Sequence, residues 1–200
     1  MTRTSIAAAL ITAALAVGLT ACSSDSEPTA EPTNPSTSTP TPSPTKSPFG
    51  ADAISDLGVK IERDNATTIL ETVEQRGGTP QQAIAALLAA KAETIWTSGL
   101  RMAPPATGIR DIFGWRLSYN LPADSAEVVQ AATNTFMDNA ATVTVNEDDS
   151  VAYALAVQYA DPRGYNEKEH FSSKGETAAG KYSASLSEAQ AAYAELRSAG

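Results

Sequence analysis

The sequence predicts an α+β fold for the C-terminal three quarters of the chain, with helices packed on a short antiparallel sheet. Three observations carry this expectation. Several stretches place apolar residues at helical spacing behind recognisable caps. One stretch alternates large apolar residues with Gly, Arg and Ser, and two Val-containing segments flank an acidic turn. Helices and strands that do not alternate regularly along the chain point to an α+β sandwich rather than a doubly wound sheet.

The elements follow in chain order. Asp64 or Asn65 is a possible cap for a helix carrying Ile69, Leu70 and Val73 and stopped by Gly77-Gly78. Thr79-Pro80 with Gln82 reads as a capping box with proline at the first helical position. It opens an Ala-rich helix with Ile84, Leu87, Leu88 and Ile95 on one face, ending near Ser98-Gly99. Pro104-Pro105 and Gly108 mark residues 100–110 as a loop. Phe113, Trp115, Leu117 and Tyr119 alternate with Gly114, Arg116 and Ser118 as in a half-buried strand. Asp124 or Ser125 then caps a helix that turns Val128, Val129, Ala132 and Phe136 inward. A hairpin is expected from residues 141–145 and 151–159 around Asn146-Glu147-Asp148-Asp149. Residues 161–182 read as an exposed polar loop. Ser185-x-x-Glu188 reads as a second capping box, opening a terminal helix with Leu186, Ala189, Tyr193 and Leu196 inward.

Ahead of this domain lie two segments of different character. Arg3 precedes an apolar run from Ile6 to Leu19, which is the length of a signal-peptide core and too short for a spanning helix. It ends in Leu19-Thr20-Ala21-Cys22, which resembles the lipobox of bacterial lipoproteins of actinobacterial type. The resemblance implies removal of residues 1–21 as a signal peptide, a diacylglyceryl group and palmitate-type acylation on Cys22, and a lipid anchor on the extracytoplasmic face of the cell membrane. Two acyl chains suffice for stable anchoring. Residues 22–48 follow as the modified cysteine and a Pro/Ser/Thr-rich linker. Of the 26 residues after Cys22, 20 are Pro, Ser or Thr, so nothing offsets the entropy of ordering them. At polyproline spacing such a stalk reaches roughly 80 Å.

Residues 49–200 form one expected domain and hold most of the acidity, a charge of −8 out of −9 for the 200-residue chain. An acidic surface excludes nucleic acid as a partner, because phosphate binding needs cations that displace counterions. The lone cysteine excludes intrachain disulfides and thiolate metal sites. No G-x-S-x-G, Walker-type or H-E-x-x-H motif is present, and no cofactor is expected.

Two sets of residues are candidates for a site. Glu167, Glu169 and the single histidine, His170, put carboxylates beside an imidazole, a combination suited to general acid–base chemistry or to a divalent metal. Trp115 and Tyr119 are candidate ligand-binding aromatics, with flat faces and polar tips suited to sugars, lipids or peptides. The acidic turn Glu147-Asp148-Asp149 lacks calcium-loop spacing and reads as solvated.

From residue 69 to 160 the order of elements is similar to that of a CAP domain, the fold of the cysteine-rich secretory (SCP-like) proteins. Leu70, Val73, Gly77 and Pro80 resemble its opening helix and turn, Ile84–Trp96 its Ala-rich second helix, and Gly114-Trp115-Arg116-Leu117-Ser118-Tyr119-Asn120 its G-E-N-[IL]-[AS]-[YW]-G motif. The resemblance implies an α-β-α sandwich. Trp115 replaces the motif glutamate, and Met137-Asp138-Asn139 stands where S-P-G-H belongs, so the family's metal ligands are missing. The combined expectation is a lipid-anchored envelope protein. Its domain would be a non-catalytic binding or accessory module for an envelope protein, glycan or lipid. The alternative is a cell-envelope hydrolase or metal-dependent enzyme built on Glu167, Glu169 and His170.

Overall fold

The computed structural model describes residues 46–50, 55–97, 110–115, 125–171 and 175–199, and these are helical almost throughout. Six helices occur in the order α1 (Asp56–Gln75), α2 (Pro80–Thr94), α3 (Ala126–Ala140), α4 (Ser150–Tyr159), α5 (Glu167–Phe171) and α6 (Ala178–Ala199). There is no sheet among the described residues, so the α+β class and the CAP-like α-β-α sandwich are both corrected to an all-helical assembly. Residues 1–45, including Cys22 and nearly all of the linker, lie outside the described residues, as does Tyr119.

Helix α2 forms the centre of the assembly. Its capping box is present as the sequence predicts: Thr79 Oγ1 accepts from the Gln82 N–H at 3.1 Å and Gln82 Oε1 accepts from the Thr79 N–H at 3.0 Å. The burial pattern is not one-sided, however. Ala83, Ala85, Ala86, Leu87, Leu88, Ala89, Ala90 and Ala92 are all buried, whereas Ile84 and Ile95 are only partly so. The alanines allow α1, α4 and α6 to approach from several directions, so the helix has no solvent face to reveal its orientation.

Helix α1 starts nine residues before the expected cap, at Ser55, whose side chain accepts from the Gly58 N–H. The early turns escape the apolar pattern because Glu62 faces the core. Its side chain accepts from the Gly50 N–H at 2.9 Å, tying the Phe49-Gly50 segment to α1. The helix ends where expected. Gly77 takes φ +72°, and the Gly78 N–H returns to the Val73 carbonyl at 2.9 Å.

Where the expected strands fall on described residues they are helix, turn or irregular backbone; residues 116–119 of the first lie outside the described residues. Residues 151–159 alternate bulky and small because every second residue is largely Ala, a strong helix former. The buried positions are Tyr153, Ala154, Val157 and Gln158, a helical spacing, and Asp149 caps the element by accepting from the Ala152 N–H at 3.0 Å. Residues 110–115 form a tight turn instead of a strand. The Asp111 side chain accepts from the Phe113 and Trp115 N–H groups at 2.9 and 3.1 Å, and Gly114 takes φ +75°. The expected loop at 161–182 contains α5 and the start of α6. Ser185 is therefore a buried interior residue of α6 rather than its cap, and Thr177 Oγ1 caps from outside by accepting from the Gly180 N–H. Helix α3 is capped by Ser125, one of the two residues the sequence offers, and turns its predicted face inward.

Thr79 also donates to Glu147 Oε2 at 2.9 Å, linking the start of α2 to the turn before α4. Thr79→Ala removes the cap and this tie and is expected to lower unfolding stability by about 1–2 kcal/mol. Chemical denaturation measures it, and an unchanged midpoint would show that the cap does not hold this end of α2.

Candidate functional site

The last turn of α2 places a carboxylate in the interior: the Glu93 side chain is 1% exposed. A buried carboxylate must be given donors, and Glu93 has three. Oε1 accepts from the Tyr165 and Tyr182 hydroxyls at 2.6 and 2.9 Å, and Oε2 is 2.5 Å from Nδ1 of His170. The four residues come from α2, the segment before α5, α5 itself and α6.

The tautomer of His170 follows from its other neighbour. Nε2 lies 2.6 Å from the Arg110 guanidinium, which has donors only, so Nε2 accepts and Nδ1–H donates to Glu93. Arg110 also donates to the Gly114 carbonyl at 2.8 Å and to Glu169 Oε2 at 3.1 Å. Gly114 is required here as a residue without a side chain. A Cβ at this position would lie 2.9 Å from both Glu93 Oε2 and His170 Cε1, and the backbone is in the left-handed region besides.

Burial first, and then the charge of Glu93, push the Tyr165 and Tyr182 phenols well above their ordinary range, so both remain donors. Gln158 extends the network by donating to the Tyr182 hydroxyl at 3.0 Å and to the Phe113 carbonyl at 3.1 Å. The chain just beyond Glu93 is strained: Ile95 and Trp96 have φ of 58° and 54°, costly for a β-branched and a bulky residue. The conformation is held by the buried Trp96 indole, which donates to the Leu87 carbonyl at 2.9 Å, and by Asn65, which donates to the Trp96 carbonyl at 2.9 Å.

Above this network opens a cavity of about 360 Å³ lined by Arg110, Trp115, Arg163, Tyr165, Asn166, Glu169 and His170. Its far wall is a second charged cluster. Arg163 stacks over the Trp115 ring, 4.8 Å from its centroid, and donates to both oxygens of Asp161 at 2.8 Å. Burial opposes the charge of Asp161, but the bonds from Arg163 and from the Asn139 amide outweigh it and lower its pKa.

No family model, curated protein or solved structure matches this chain.

The sequence-predicted residues divide. His170 and Glu169 line the cavity, but Glu167 faces away and accepts from the Ala178 N–H at 2.7 Å and the Tyr159 hydroxyl at 3.1 Å, helping to start α6. His170 is not on an exposed loop; its side chain is 7% exposed. Trp115 lines the cavity but is buried rather than displayed as a flat patch, with Arg163 stacked over its ring. Glu93, Arg110, Tyr165 and Tyr182 were not singled out by the sequence. The available signal was Glu93 itself, a carboxylate within an otherwise Ala-rich apolar run. Among the described residues no three His, Cys, Asp or Glu side chains come together as a metal site.

Asp111 gives a pH prediction. Burial raises its pKa from 3.8 to about 7, against the lowering effect of Arg163 and of the two backbone N–H bonds, and its Oδ2 has no hydrogen-bond partner. Between those two values the folded chain keeps a proton that the unfolded chain has released. This group therefore makes stability fall as pH rises through that window, with no further change above it. Asp111→Asn keeps the acceptor for Phe113 and Trp115 and removes the charge, so it should gain stability relative to wild type on going from pH 5 to pH 8. Thermal unfolding at the two pH values tests this; a constant difference would contradict it.

Proposed function

We propose that this chain is a lipid-anchored envelope protein whose helical domain is an acid–base hydrolase of a cell-envelope polymer. The observation that carries the reading is the Glu93–His170 pair at the floor of the cavity. Imidazole held in one tautomer by a buried carboxylate is the arrangement by which a base is oriented for proton transfer, and its second nitrogen meets Arg110, another residue of the cavity lining. In this reading Glu93 is a positioning residue. His170 Nε2 takes a proton from an attacking water and returns it to the leaving group, and Tyr165 and Tyr182 keep Glu93 fixed. The cavity lining combines the Tyr165 ring with the polar groups of Asn166, Glu169 and the deeper Arg110, which suits a polymer carrying polar substituents.

The lipobox resemblance of Leu19-Thr20-Ala21-Cys22 supports the anchored half of this reading. Among the described residues no helix is long and apolar enough to cross a membrane. Attachment in this proposal is through lipid on Cys22, and the stalk carries the domain into the wall layer. Incorporation of a labelled fatty acid should be lost in Cys22→Ser, and equal labelling of both chains would refute the anchor.

A binding module without turnover is the second reading, favoured by the Arg110 N–H that occupies His170 Nε2. Incubating the mature chain with purified cell-wall material separates the two. Release of soluble fragments should fall about 100-fold or more in Glu93→Gln and His170→Ala, the loss typical of a general acid–base group. Absence of release by the wild-type chain, with retention on the wall, would overturn the hydrolase in favour of the binder.

A further inference from the structure

We infer that Arg110 is a specificity latch, and that the ligand of this cavity carries a carboxylate or phosphate group that withdraws Arg110 from His170. The inference rests on the hydrolase reading for its purpose, and on the hydrogen bonds around Arg110 for its content. One guanidinium nitrogen is shared between the Gly114 carbonyl and His170 Nε2, while the other pairs with Glu169 Oε2. While that N–H fills the Nε2 lone pair, His170 has no free site for a substrate proton. The acceptor that draws a guanidinium away from a neutral imidazole is an anion, because charge-assisted and bidentate bonds are roughly twice as strong as neutral ones.

Glu169 shows what this rim recognises. Its carboxylate spans Arg110 on one oxygen and the Asn166 side-chain amide on the other, at 3.1 and 3.0 Å, and so sits where a ligand anion would find two donors. The Glu169 side chain is 37% exposed, while the Arg110 side chain is only 12% exposed. The internal anion is thus at the wet edge of the cavity, where an ion pair is weak and easily exchanged, and the cation it covers lies deeper. An incoming anionic substituent displaces Glu169 and binds both terminal nitrogens of Arg110, where Glu169 holds only one; the added bond claims the nitrogen now shared with His170 and frees Nε2. A neutral ligand has nothing with which to make that exchange.

The chain has a single histidine, so its two imidazole nitrogens give unambiguous ¹⁵N signals. The test titrates the mature chain, labelled in histidine, with glucuronic acid, glucose 6-phosphate or glucose, three pyranoses differing only in the group at one carbon. The Nε2 resonance should move with one or both anionic sugars at concentrations where glucose leaves it unchanged. The arm that responds identifies carboxylate, phosphate or either as the group recognised. Glu169→Gln removes the internal competitor and should tighten anion binding. Arg110→Gln should weaken it by about tenfold or more, the worth of a charge-assisted bond. An equal response to all three sugars, or weaker anion binding in Glu169→Gln, would overturn the latch. Turnover is not used, so wall hydrolysis with no anion response removes the latch alone, and an anion response without hydrolysis removes the hydrolase alone.

Discussion

A carboxylate taken out of water loses its hydration, and the fold around Glu93 is arranged to replace it. Each hydrogen bond to a charged group is worth about 1.5–3 kcal/mol when made, and an unmade one leaves the desolvation cost standing. Glu93 therefore constrains everything that contacts it. Tyr182 must bring α6 to the end of α2, and Tyr165 and His170 must bring the segment around α5 over the same point. Gly114 must lack a side chain so that the 110–115 turn can pass beside the pair. The interaction that stabilises this end of the molecule is also the one that orients its only imidazole, so stability and chemistry reside in the same atoms.

The remainder of the helical assembly serves that point. The alanines of α2 let neighbouring helices close in, which makes the interior dry enough for Glu93 to need its partners. The left-handed Ile95 and Trp96 turn the chain sharply after Glu93 and send the Trp96 indole back onto Leu87. Thr94 supports the turn by donating to the Ile112 carbonyl at 2.8 Å, which holds the 110–115 segment against the end of α2. Arg110, at the start of that segment, is thereby placed over His170.

What was legible in the sequence was local. The caps at Thr79 and Ser125 and the stop at Gly77-Gly78 are written in side chains within a few residues of the atoms they satisfy. Period-two alternation of bulky residues with alanine fits a strand and a short buried helix alike, and alanine's helix preference settles the choice in α4. The start of α1 was hidden by Glu62, a polar residue in an inward position whose partner, Gly50, lies outside the helix. The site was only half visible. His170 and Glu169 stood out as an imidazole beside a carboxylate. Their meaning depends on Glu93 and Arg110, 77 and 60 positions away from the histidine, and no spacing rule links residues so far apart. Glu167, next to them, looked equivalent and is instead a support for α6.

The central claim is that Glu93 organises the 110–115 turn and α5 around itself. Glu93→Gln tests it with the smallest change. The amide keeps one acceptor for the tyrosines but sets an N–H₂ against His170 Nδ1–H, and a flip of the tautomer would set Nε2–H against Arg110. Hydrogen–deuterium exchange compares this variant with wild type segment by segment. The account predicts faster exchange in 110–115 and in Glu167–Phe171, with α1 and α3 unchanged. Unaltered protection in those two segments would contradict it.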